Sequence, residues 1–296
     1  MRFFTKLLAI LMIPSAAFAL SFEEAFPDHP GYDNPEVMAF LNGMDFKRGW
    51  QPLPGGQAGL EVPAGFYYLD PRDAETVLVD IWGNPNGDSL GMIFPSGITP
   101  FDYESWGATL TWDESGYVSD EGAEEIDYDD LLKQMQRDSR DSNSWRRENG
   151  YPEVEIVGWA ADPHYDQTER KLHWAQELDF LDSEVNTLNY YLRALGRKGV
   201  LELNFIADIN QLNQVSRAIP EVSAMVKFNE GSRYEDFIPG VDTIAAVGIG
   251  GLIAGKVVAK TGLFLVALVF LKKFAIFLII PALWLWRKLT GARRNS

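Results

Sequence analysis

KLHWAQELDF at residues 171–180 and VLELNFIAD at residues 200–208 decide how the fold is read. In the first, Leu172, Trp174 and Leu178 alternate with Lys171, His173 and Glu177; in the second, Leu201, Leu203 and Phe205 alternate with Glu202 and Asn204. A period of two belongs to a strand with one face in a core and the other in water. The glycines of Leu195-Gly196-Arg197-Lys198-Gly199 supply a turn before the last strand. Strand-like segments follow one another with short turns from residue 150 to 208, which predicts an antiparallel meander of about four strands.

Outward from that meander, helix signals flank it. Asp70-Pro71 pairs an N-cap with a proline in the first turn and predicts a helix over 71–82, stopped by Gly83-Asn84. Asp127, Asp129 and Asp130 suit the positive N-terminus of a second helix running to Asn149, with Gly150 as its stop. A third helical stretch, 209–219, is ended by Pro220. Upstream, residues 26–59 are punctuated by Pro27, Pro30, Pro35, Pro52 and Pro54 and read as mostly irregular, with one short helix at 35–42. Residues 58–69 read as a hairpin about Pro63-Ala64-Gly65, and 89–94 and 106–112 as further strands. The expected fold class is α+β: an exported domain with a central antiparallel β-meander flanked by helices, plus a C-terminal transmembrane helical anchor.

Aromatics make up 13% of the 296 residues, nine of them Trp, so a core of large rings is available. The absence of cysteine excludes disulfides, thiolate zinc sites, a cysteine nucleophile and a lipid-modified cysteine. The net charge of -16 is unevenly spread: residues 1–19 carry +2, residues 241–296 carry +7, and residues 20–240 therefore carry -25. A body this acidic repels nucleic acid, so no nucleic-acid partner is expected.

The ends of the chain specify an address. Arg2 and Lys6 precede an apolar run, 7–13, and then Ala17-Phe18-Ala19, the pattern of a signal peptide over 1–19. Residues 20–240 form the acidic α+β ectodomain, and 241–296 a glycine-striped membrane anchor with a basic cytoplasmic end. In that anchor Ala245, Gly248, Gly251, Gly255, Ala259 and Gly262 recur at steps of three or four, as a helix-packing stripe would. A span over 262–286 buries Lys272 and Lys273, whereas one over 249–271 buries Lys256 and Lys260, and both leave Arg287, Lys288, Arg293 and Arg294 on the cytoplasmic side. The expected location is the inner membrane, with a periplasmic ectodomain and a cytoplasmic C-terminus. The expected partners are the lipid bilayer and, through the stripe, a second copy of the chain.

Candidate chemistry is sparse. Of the three histidines, His164 lies in Asp162-Pro163-His164-Tyr165-Asp166, read as a turn before the strand that carries His173. A hairpin could bring His164, Asp166 and His173 together around a metal, and any solvent-facing turn of Asp, Pro and His would look the same. Nine carboxylates between Asp113 and Asp130 suggest calcium, but their spacing departs from a twelve-residue calcium loop and suits a helix N-terminus. No phosphate loop, nucleophile elbow, metalloprotease motif or dinucleotide fingerprint occurs, so no cofactor is expected.

Trp82-Gly83-Asn84-Pro85, Gly116-Tyr117-Val118-Ser119-Asp120, Gly150-Tyr151-Pro152, Gly158-Trp159-Ala160, Pro163-His164-Tyr165-Asp166, Leu172-His173-Trp174-Ala175, Leu188-Asn189-Tyr190, the 195–201 turn and Leu252-Ile253-Ala254-Gly255-Lys256 together resemble an uncharacterised bacterial membrane-anchored family, domain of unknown function 2167. The resemblance spans most of the chain and implies an exported domain with a membrane anchor; it implies no activity and transfers no catalytic residue. The reading that results is a non-catalytic assembly or interaction protein of the cell envelope. The alternatives are a metal-dependent hydrolase using His164 and His173, and a glycan-binding module using exposed aromatics.

Overall fold

The computed structural model describes residues 18–82, 88–181 and 183–255. They are organised by one antiparallel sheet of eleven strands. The strands are β1 (Phe18–Leu20), β2 (Phe46–Pro52), β3 (Ala58–Val62), β4 (Phe66–Leu69), β5 (Gly91–Pro95), β6 (Gly107–Asp113), β7 (Val154–Asp166), β8 (Lys171–Phe180), β9 (Thr187–Leu195), β10 (Val200–Asp208) and β11 (Val226–Phe228). Their order is β11-β3-β2-β4-β5-β6-β10-β9-β8-β7, with β1 paired to β2. Six α-helices accompany them among the described residues: α1 (Phe22–Ala25), α2 (Pro35–Asn42), α3 (Pro71–Glu75), α4 (Tyr128–Glu148), α5 (Leu212–Met225) and α6 (Ile249–Ile253).

The α+β expectation is therefore corrected. The molecule is mostly antiparallel sheet with few helices, and the strands of 154–208 are one end of the sheet instead of its centre. The strands missed are β1, β2 and β11: β2 lies in the stretch read as irregular from its prolines, and β1 and β11 are three residues each, too short to show a period. The hairpin expected over 58–69 is also corrected, because β2 lies between β3 and β4 and pairs with both. The transmembrane helix of the expected fold class is not found among the described residues, where no helix is long and apolar enough to cross a membrane. Residues 256–296, like residues 1–17 of the expected signal peptide, lie outside the described residues, whereas Phe18–Leu20 form β1 against Phe46–Arg48.

Alternation sorts the core into layers. One face of the sheet carries Phe66, Tyr68, Ile93, Leu110, Leu192, Leu203 and Phe205 under α5, whose Val215, Ile219, Val222 and Met225 complete the layer. That stripe crosses Pro220, which lies inside α5 instead of ending it; burying Val222 and Met225 outweighs the lost hydrogen bond. The opposite face has two clusters. Tyr67, Leu69, Met92 and Phe94 meet α1, α2 and the α3 helix, which continues as a π-helix over Thr76–Ile81. Leu172, Trp174, Leu195 and Val200 meet residues 117–126, Tyr234 and α6.

The free edge, β7, is shielded by α4. Its Gln136 donates to the carbonyls of Ile156 and Val157, Ser139 to that of Val154, and Asn143 exchanges two hydrogen bonds with Val154. Residues 136, 139 and 143 recur at helical spacing, so one polar helix face satisfies an otherwise open strand edge. Asp127 caps this helix by accepting from Asp130 N–H, and Gly150 follows its end at φ +76°, the left-handed geometry glycine adopts without strain.

Candidate functional site

The histidines were expected in a loop and on a wet strand face; the structure pairs them on one hairpin. His164 and His173 are directly opposed partners of β7 and β8, and their ring centroids are 5.2 Å apart. β7 runs on through His164 because the turn begins later. The Asp166 carboxylate accepts from Thr168 and Glu169 N–H, and Arg170 takes a left-handed φ of +54°. Pro163 is tolerated because β7 is an edge strand whose register shifts between Ala161 and His164.

His173 is half-buried, with Nδ1 3.0 Å from the buried Tyr190 hydroxyl; His164 is exposed. Burial, reinforced by the neighbouring His164, lowers the His173 pKa, and Asp166 opposes the shift. The Asp166 carboxyl is held below its ordinary value, first by its backbone hydrogen bond from Glu169 and then by that from Thr168. It is engaged in the turn, and among the described residues no three His, Cys, Asp or Glu side chains group to hold a metal. His29 belongs to a different cluster, accepting from Gly31 N–H at Nδ1 and lying 3.5 Å from Asp102 through Nε2.

Three charged arrangements were not singled out in the sequence. On the sheet face opposite α5, Arg193 and Glu202 are cross-strand partners of β9 and β10. Arg193 Nε lies 3.0 Å from Glu202 Oε1, close enough for ion pairing though poorly aligned for a hydrogen bond, and one guanidinium N–H donates to Asn204 Oδ1 at 2.8 Å. The cation lies 5.3 Å from the ring centroids of both Trp174 and Tyr191, which stack on each other. Thr111 donates to Glu202 from the next strand. A legible signal exists: positions 193 and 202 lie symmetrically about the 195–200 turn, so hairpin register makes them opposite.

The second arrangement is a carboxylate with three donors. Asp120 accepts from Arg170, from Tyr165 at 3.0 Å and from Tyr234 at 3.1 Å, while the Arg170 guanidinium sits 4.8 Å from the Tyr234 ring centroid. Burial raises the Tyr165 hydroxyl pKa to about 12, so it remains a donor. The third is a fork: Arg197 Nε and Nη2 donate to the two oxygens of Asp242 at 2.7 and 3.0 Å. That bond, from Arg197, holds the Asp242 carboxyl below its ordinary value.

These contacts fasten the segment where the small-residue stripe starts. Ala245 N–H donates to the Tyr117 carbonyl, Gly248 precedes α6, and α6 buries Ile249, Leu252 and Ile253 against the sheet. Gly251 lies within α6, and Gly255 follows its end at φ +67°. Ala259 and Gly262 lie outside the described residues.

Comparison with known proteins adds a family and little else. No curated protein matches. The solution structure of cyanobacterial PsbP (CyanoP) from Synechocystis sp. PCC 6803 aligns over 58% of this chain and 87% of its own, at 9% identity and a TM-score of 0.32. So low a score carries no argument about fold or function. The family Protein of unknown function (DUF2167) matches residues 45–283, which include the whole sheet from β2 onward, all three charged arrangements and the histidine pair, and the chain belongs to that family.

Proposed function

We propose that this protein is a non-catalytic interaction module of the bacterial cell envelope, exported with its acidic body outside the cytoplasm and attached to the inner membrane through the apolar residues after Gly255. The observation that carries the reading is the fastening of residues 237–253 to the sheet. Phe237 stacks on Tyr117, Asp242 is forked by Arg197, Ala245 bonds to Tyr117 and α6 is buried, so the first part of the segment expected as an anchor, up to Ile253, belongs to the folded body. A body tied at several points beside its attachment is held as a rigid platform, which suits assembly on a surface. The charged clusters support the same reading, because each joins at least two chain segments through its polar atoms.

Fractionation and protease accessibility in spheroplasts test the address. The full chain is expected in the membrane fraction, with its body cut only when protease reaches the periplasmic side; recovery in the soluble cytoplasm would overturn it. Crosslinking in those membranes tests assembly, with discrete crosslinked species expected and a solely monomeric band opposing the idea.

A further inference from the structure

We propose that the His164–His173 pair binds one divalent ion of the zinc, nickel or copper class, through Nε2 of His173 and one ring nitrogen of His164, with water in the remaining positions. The inference does not depend on the envelope address. It starts from register: directly opposed side chains of an antiparallel pair leave the sheet side by side, and these two rings already stand with centroids 5.2 Å apart. Two imidazoles so placed can turn one nitrogen each toward a point about 2.0–2.1 Å from both.

The surroundings prepare His173 as a ligand. Metal-bound histidines commonly give their other ring N–H to a partner that fixes tautomer and orientation. Here the Tyr190 hydroxyl lies 3.0 Å from Nδ1, so Nδ1–H can donate to it and leave the Nε2 lone pair free. Tyr190 is itself immobilised, buried and packed edge-on against Phe205. His164 is exposed on the free edge of the sheet, so an ion has an open path to the pair. With no third protein ligand among the described residues, the ion keeps exchangeable water.

The test uses the full chain, purified in detergent without a histidine tag and titrated with zinc chloride by calorimetry. Millimolar magnesium in the buffer occupies the many surface carboxylates. One zinc per chain is expected, with affinity falling at least tenfold in His164→Ala and in His173→Ala and unchanged in His29→Ala. Tyr190→Phe keeps both ligands and removes the orienting hydroxyl, so a loss of about 10–100-fold is expected, as for other partners of metal-bound histidines. Since His164 is exposed, its replacement leaves the fold intact, which circular dichroism verifies. Absence of zinc binding to the wild type under these conditions would overturn the proposal, as would a His164→Ala, His173→Ala double variant that binds as tightly as the wild type.

Discussion

Arg193 is engaged on several sides: ion-paired across the hairpin, hydrogen-bonded to Asn204 and bounded by two rings. Removing one partner of a buried pair leaves the other charge stranded, which is worse than never having the pair. Glu202→Ala should therefore destabilise the protein by roughly 3 kcal/mol, the lower end of the range for buried pairs, because the glutamate retains some exposure. Urea denaturation measures it, and a change under 1 kcal/mol would show the pair to be dispensable. His173 makes a prediction in pH. Its folded pKa lies below the ordinary 6.5, so as pH falls through 6.5 the unfolded chain takes a proton that the folded chain refuses, and stability declines. Melting temperature measured from pH 7.5 to 5 should fall more steeply in the wild type than in His173→Gln; parallel curves would refute the assignment. The sequence placed His164 and His173 on one hairpin, but the partners of Arg193 and the Tyr190 hydroxyl beside His173 were not read, because alternation assigns a face and says nothing about what crosses it.

α4 illustrates an element whose packing logic inverts the usual one. It covers a strand edge, so the side chains it buries, Asn143 and Arg146, are polar, and its few apolar residues touch the sheet only near its start. Asn143→Ala removes both of its hydrogen bonds to Val154; Ser139 still donates to the carbonyl, so the buried N–H is the group left unmatched, at about 1–3 kcal/mol. Hydrogen exchange at the Val154 amide should accelerate in this variant while the β9–β10 amides keep their protection. Unchanged exchange at Val154 would mean the helix does not guard the edge. The ends of α4 were legible, since Asp127 and Gly150 are local signals that need only the adjacent backbone. Its role as an edge cover was not, because that depends on a strand twenty residues away in the sequence.

For the whole molecule, the decisive contacts join the C-terminal segment to the sheet. Gly116 adopts φ +101° where Tyr117 pairs with residues 243–245, and a Cβ there would stand 2.6 Å from the Thr243 carbonyl oxygen. Gly116→Ala is therefore expected to loosen the 237–253 segment, as is Asp242→Ala, which breaks the fork from Arg197. In limited proteolysis both variants should be cut within 238–248 at least tenfold faster than the wild type, with the 154–208 strands still resistant. Equal cleavage rates would show that α6 burial alone holds the segment.

What the sequence by itself determined is what short-range chemistry controls: the strands about Leu172 and Leu203, the caps at Asp70 and Asp127, the absence of cysteine chemistry, and the family. What only the tertiary structure decided is the breadth of the sheet, the pairing of Arg193 with Glu202, of His173 with the Tyr190 hydroxyl and of Asp120 with its three donors, and the docking of residues 237–253. Periodicity and capping report how a residue relates to its own few neighbours. A three-residue strand such as β11, and a carboxylate matched to a cation fifty residues distant, leave no local trace, because their free energy is realised only when the sheet closes over them.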